Sequence, residues 1–146
     1  RARPVLTRRY AAWSWCGLEA ERMQQAAGGL LGEHDFSAFR GAHCQAHSPM
    51  RTVHELRVVR AHEWIVVDVM ANAFLYHMVR NLVGTLLMVG RGEADVDWPS
   101  EVLAGRDRRR AGPTAPAVGL ILTDVEYPER FGFPQVHKPL FPLHAL

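Results

Sequence analysis

Lysine is almost missing from this chain. Of 17 basic residues in 146, only Lys138 is lysine and the rest are arginine. Acids nearly balance them, giving a net charge of +2. Two readings of the arginine bias stay open: codon usage in a GC-rich genome, or phosphate and base recognition, for which the planar guanidinium suits better than an ammonium. Cysteine is scarce as well. Cys16 and Cys44 are too few for a secreted disulfide framework, so reduced thiols and a cytoplasmic location are expected. No apolar run reaches membrane-spanning length, and residues 1–15 lack the apolar core of a signal peptide. Neither G-x-x-x-x-G-K-[ST] nor G-x-G-x-x-G occurs, so nucleotide-phosphate cradles are unsupported.

Metal and nucleophile motifs are incomplete. "HCQAH" brings together His43, Cys44 and His47, but zinc needs three or four ligands of compatible geometry, normally with a second pair elsewhere. Cys16 stands apart in an aromatic segment, so no metal site is expected. No spacing ties a histidine to an activated serine or cysteine. Asp68, Asp124 and Glu126 fall in strand-like stretches and read as solvent-facing or locally paired acids, while Asp35 reads as a cap for the backbone of Ser37 or Ala38.

What the chain does have is core material. A content of 48% hydrophobic and 22% charged residues is that of a globular protein, one domain or one half of a larger enzyme. The start at Arg1, without methionine, suits the middle of a longer protein. Helical spacing covers residues 19–31, a helical turn is expected in "EHDFSAFR", and strands at 51–60 and 64–71 should form an antiparallel hairpin. A long helix follows at 74–90, then a short one started by Asp97 and Pro99, a basic turn, and a strand at about 119–127. The tail from Phe131 to Leu146 is expected to wrap another surface. The plan is α+β: an antiparallel or mixed sheet with helices packed on one face, too small for its apolar helix surface unless further strands come from elsewhere.

Arg80 is the residue that this plan leaves unexplained. In the helix 74–90, Leu75, Met78, Val79, Leu82, Val83, Leu86 and Val89 fill an apolar arc. Arg80 projects from its edge, with His77, Asn81 and Gly84 further round the same side. Burying a guanidinium without a partner costs several kcal/mol. Its partner could be a structural acid such as Asp68, an acid of a catalytic site, or a substrate phosphate. The cluster Arg106, Arg108, Arg109 and Arg110 is either a solvated turn or a patch that contacts phosphates without reading sequence.

Four ordered stretches carry a resemblance: "GEHDFSAFR", "RTVHELRVV", "ANAFLYHMVRNLVGTLLMVGRGE" and "APAVGLILTDVEYPERFGFP". From about Arg3 to Pro134 the chain closely resembles the C-terminal half of the tRNA pseudouridine synthase A family, which acts on the tRNA anticodon arm. The resemblance implies that residues 1–146 form the C-terminal domain of such a synthase, half of a fold built from two related halves around a long mixed sheet. It implies isomerisation of uridine to pseudouridine in a flipped base, with tRNA as partner, homodimers, and neither cofactor nor metal. By the same resemblance Arg80 matches the active-site arginine that pairs with the catalytic aspartate, and Leu120 matches an apolar position lining the uracil pocket. Arg108, Arg109 and Arg110 are the candidate phosphate contacts. The family's R-T-D-x-G-V-H-A segment, which holds the nucleophile, and its R-Y-x-Y segment do not occur here, and neither Asp124 nor Tyr10 replaces them. The nucleophile is therefore expected in an N-terminal half absent from this chain, which alone should be inactive. The alternative is a non-catalytic RNA-binding or dimerisation module of a truncated synthase.

Overall fold

The computed structural model describes residues 8–133. Its elements run α1 (Ala20–Gly28), β1 (Gly32–Asp35), β2 (Met50–Ala61), β3 (Trp64–Ala71), α2 (Met78–Gly90) and α3 (Trp98–Gly105), with single 3-10 turns at Ser37–Phe39, Arg108–Arg110 and Glu129–Phe131. The sheet is fully antiparallel in the order β1-β2-β3. The α+β expectation therefore holds.

Alternation along β2 and β3 builds a one-sided sheet. Leu56 and Val58 are buried, and they sit opposite Val69 and Val67 of β3, with Ile65 and Ala71 continuing that inner face. A register shift between Val53 and Glu55 inserts one extra residue into β2. This bulge matters for the pattern: Val53 and Leu56 are three apart, so without it they would point to opposite faces. Arg57, Asp68 and Met70 lie on the exposed side. β2 extends beyond β1 with an edge that no strand pairs among the described residues, and α1 covers it through Gln24, which accepts from the Val58 amide at 2.6 Å and donates to the Leu56 carbonyl at 3.4 Å.

The helices close the inner face. Met23, Ala26 and Ala27 of α1, Met78, Leu82, Leu86 and Val89 of α2, and Val102 of α3 form one core with Phe36 and Phe39. Leu75 belongs to the same buried set although α2 starts later than expected, at Met78. The reason lies at His77, which adopts a left-handed conformation (φ 61°), while the Tyr76 carbonyl accepts from the Gly41 amide at 2.8 Å. The apolar period thus continues upstream of the helix, but its backbone does not.

Two other expectations change. "EHDFSAFR" is not a helical turn throughout: its first residues form β1, paired with β2, and only Ser37–Phe39 turn. Asp35 does cap that turn, accepting from the Ser37 amide at 2.9 Å and hydroxyl at 2.6 Å. The Ser37 hydroxyl, the Ser37 amide and nearby Arg106 together hold its carboxyl below the usual range, against a smaller opposing effect of burial. The segment 119–127 forms no strand among the described residues. It is rich in β-formers, but that preference alone does not make a strand. The third strand of the sheet is β1 instead. The wrapping tail lies outside the described residues from residue 134 onward.

α2 and the segment after the basic turn at Arg108–Arg110 approach each other backbone to backbone at two glycines. A methyl group on Gly84 would overlap the Pro113 carbonyl oxygen, and one on Gly112 would stand 2.8 Å from both the Gly84 carbonyl oxygen and Thr85 Cα. Gly84→Ala should therefore destabilise the chain by about 1–3 kcal/mol, as overpacking does. Gly28→Ala, which meets nothing within 4 Å, should leave stability equal or higher. Urea unfolding of both variants reads the difference, and an unchanged midpoint in Gly84→Ala would contradict the close approach.

Candidate active site

One face of α2 is polar by spacing. His77, Arg80, Asn81, Gly84 and Thr85 recur at helical intervals and share a side. Residues 108–115 lie along that side as a strap. Gly112 donates its amide to Thr85 Oγ1 at 3.0 Å, and Thr85 Oγ1 in turn donates to the Asn81 carbonyl at 2.9 Å. The fully buried Asn81 side chain donates to the Phe39 carbonyl at 2.8 Å and accepts from Arg108 at 3.0 Å and Thr114 at 2.7 Å. Buried polar groups are tolerated only when satisfied, and this network satisfies them.

Arg80 ends the strap. Its carbonyl accepts from the Ala115 amide at 3.0 Å, and its Nε donates to the Ala115 carbonyl at 2.7 Å. One terminal nitrogen lies 3.1 Å from His77 Nε2. The guanidinium is half-buried, and both of these acceptors are uncharged. Among the described residues no carboxylate stands within ion-pair distance of it. Asp68, the structural acid that could have paired with Arg80, is exposed on the outer side of β3, in register with Arg57. Arg80 is thus a cation fixed in direction and not neutralised by these contacts.

His77 in turn has an aromatic neighbour. Tyr76, 53% exposed, stacks on the His77 ring with centroids 3.9 Å apart. The Tyr76 amide donates to Cys44 Sγ at 3.4 Å. That contact, with the Ala46 amide and Arg40, pulls the Cys44 thiol below its ordinary value. Among the described residues no group of three His, Cys, Asp or Glu side chains could hold a metal ion, so His43, Cys44 and His47 do not converge on one. The position of His77, one helical turn from Arg80, was visible in the sequence; its left-handed backbone, which brings the ring to the guanidinium, was not.

The other predicted residues are placed differently from one another. Leu120 is half exposed, five residues beyond the strap, and the Ala117 carbonyl accepts its amide at 3.1 Å. Before it, Gly119 (φ 86°) lies against the backbone of Tyr10 and Ala11. Val118, Ile121, Leu122, Val125 and Tyr127 are exposed along the same stretch. The three consecutive arginines also part company. Arg108 turns inward and donates to Asn81, Thr114 and the Gly112 carbonyl. Arg109 is exposed and grips Asp107, whose carboxyl its hydrogen bonds hold at about 2. Arg110 is exposed.

These features sit in a stretch that matches a known sequence family, described as tRNA pseudouridine synthase, over residues 26–128. The chain belongs to the tRNA pseudouridine synthase family. Among curated relatives, it is 56% identical over 126 residues to tRNA pseudouridine synthase A of Aeromonas hydrophila, covering 86% of this chain and 46% of that protein. It is 55% identical over 125 residues to the protein of that name from Actinobacillus pleuropneumoniae, covering 85% and 48%. A third, from Nitrosococcus oceani, is 47% identical over 139 residues, 95% of this chain and 54% of the relative. The chain therefore spans about half the length of the synthases it matches.

The division of labour among the arginines is testable in this chain. Arg108→Ala leaves Asn81 and Thr114 without their cation and loosens the strap, so it should cost about 1–3 kcal/mol. Arg109→Ala removes only an exposed ion pair and should leave the melting temperature unchanged. Thermal unfolding followed by circular dichroism compares them; equal melting temperatures would contradict the inward role of Arg108.

Proposed function

We propose that this chain is the C-terminal half of a tRNA pseudouridine synthase of the A type. Joined to an N-terminal half that carries the nucleophilic aspartate, it isomerises uridine to pseudouridine in the tRNA anticodon arm. The observation that carries this reading is Arg80, a guanidinium held by the Ala115 carbonyl and His77 Nε2 with no carboxylate beside it among the described residues. Such a group suits an acid that arrives from outside the chain.

The chemistry follows from that pairing. An aspartate set against Arg80 stays ionised, because the charged form gains an opposite charge, and a bidentate pair would also fix its direction. The target uridine has to leave the base stack to reach it, a cost of a few kcal/mol recovered through contacts in the pocket. Leu120 supplies an apolar wall for the uracil, half exposed as it is in this chain. Exposed Arg109 and Arg110 suit contact with RNA phosphates, which position without reading sequence, and Arg108 serves that surface by holding the turn in place. The reaction needs no metal and no cofactor in this reading. Homodimers and a cytoplasmic location complete it; no helix among the described residues is long and apolar enough to cross a membrane.

The test uses the chain joined to its N-terminal half and tRNA transcripts carrying uridine tritiated at C5, the position whose hydrogen is lost when the new bond to the sugar forms. Wild-type enzyme should release tritium, and the 146-residue chain alone should not. Arg80→Ala should lower turnover by roughly a hundredfold or more, the equivalent of about 3 kcal/mol for breaking a buried pair. Arg80→Lys, which keeps charge but loses the fork, should stay impaired. Binding of tRNA should change much less than turnover. Near-normal turnover in folded Arg80→Ala would overturn the assignment.

A further inference from the structure

His77 occupies a backbone conformation that is uncommon for residues other than glycine. Its φ of 61° is left-handed, and it sits at the N-cap of α2, where an extended residue with a hydroxyl or carboxylate is the usual choice. Its side chain makes no capping hydrogen bond. Strain of this kind persists only where surrounding structure enforces it. Here the enforcement is visible on both sides. The Gly41 amide holds the Tyr76 carbonyl at 2.8 Å, Cys44 Sγ holds the Tyr76 amide at 3.4 Å, and the His77 carbonyl accepts from the Asn81 amide at 2.9 Å. The Tyr76 ring then stacks on the imidazole at an interplanar angle of 21°.

The result is an imidazole whose Nε2 faces a guanidinium nitrogen at 3.1 Å. A guanidinium has donors only, so Nε2 must be the acceptor, and the ring proton must reside on Nδ1. The contact exists only with neutral imidazole in that tautomer. At the other edge of the fork the Ala115 carbonyl receives Nε. Two neutral acceptors therefore set the plane of Arg80 and leave its charge for another partner, which a carboxylate in either place would not do.

We propose that His77 is a positioning residue for Arg80: it accepts from the guanidinium through Nε2 and so presents an oriented, unneutralised cation to the catalytic carboxylate. This rests on the pseudouridine synthase reading for its consequence in turnover, but the contact itself is a property of the 146-residue chain. A misplacement of about 1 Å in a catalytic group can lower rate about a hundredfold, which sets the scale of the effect.

Two measurements test it. In the full 146-residue chain, heteronuclear NMR of the side-chain nitrogens should show His77 protonated on Nδ1 and not on Nε2, and an Arg80 Nη1–H protected from exchange. His77→Phe, which keeps a ring to stack on Tyr76 but has no acceptor, should remove that protection. In the enzyme joined to its N-terminal half, folded His77→Phe should lose about 10- to 100-fold in kcat, with KM moved by less than about threefold. His77→Gln, whose carbonyl can accept, should recover most of the loss. In an Arg80→Ala background His77→Phe should do no further harm, because its effect passes through Arg80. A normal kcat in folded His77→Phe, a full additional loss in the Arg80→Ala background, or an Nε2-protonated ring would each overturn the proposal. A wild-type assembly without turnover would overturn the functional reading and with it the role in rate, while the nitrogen spectra would still decide whether His77 holds Arg80.

Discussion

The strap against α2 is the constraint on which the site depends. Residues 112–115 can lie on the helix only because Gly84 and Gly112 lack side chains, so the two backbones come within contact of one another. That closeness lets Asn81 and Thr85, both fully buried, exchange hydrogen bonds with Gly112, Thr114 and Arg108. Apolar residues at those positions would pack a helix against the core equally well. They would not hold a loop with defined register, and a loop in defined register is what brings the Ala115 carbonyl to Arg80.

Arg80 gains its character from this arrangement. A half-buried guanidinium paired with an internal acid would be a structural ion pair, spent on the fold. Bound instead by a carbonyl and an imidazole, it keeps its orientation and its charge. Orientation without neutralisation is what electrostatic preorganisation asks of a catalytic cation, since no reorganisation is then needed when the acid arrives. The strap continues into an exposed apolar stretch that includes Leu120, so the same element that aims the cation also carries the candidate wall of the base pocket.

Much of this was legible in the sequence, and what was not has a physical cause. The hairpin, α1, α3 and the core face of α2 follow from periodicity, and the polar side of α2 could be read from the same spacing. The start of α2 could not, because a tertiary hydrogen bond from Gly41 holds Tyr76 just before His77 turns left-handed. β1 is too short and too polar to declare itself; it exists through pairing with β2. The stretch at 119–127 errs in the other direction, with strong β-formers and no strand among the described residues. Arg108 and Arg109 are indistinguishable as letters, yet one turns inward, half-buried, to a network with Asn81 and the other, exposed, grips Asp107. Local sequence sets preference; which donors meet which acceptors is decided by the path of the strap.

Native-state hydrogen exchange at two backbone amides tests that path most directly. Gly112 donates to Thr85 Oγ1 and Ala115 to the Arg80 carbonyl. If the strap is docked as a fixed part of the fold, both amides should exchange only as slowly as those in the middle of α2, opening with the core. Exchange at Gly112 and Ala115 as fast as in an unstructured peptide would mean that the strap is loose, and that Arg80 is not held where this account places it.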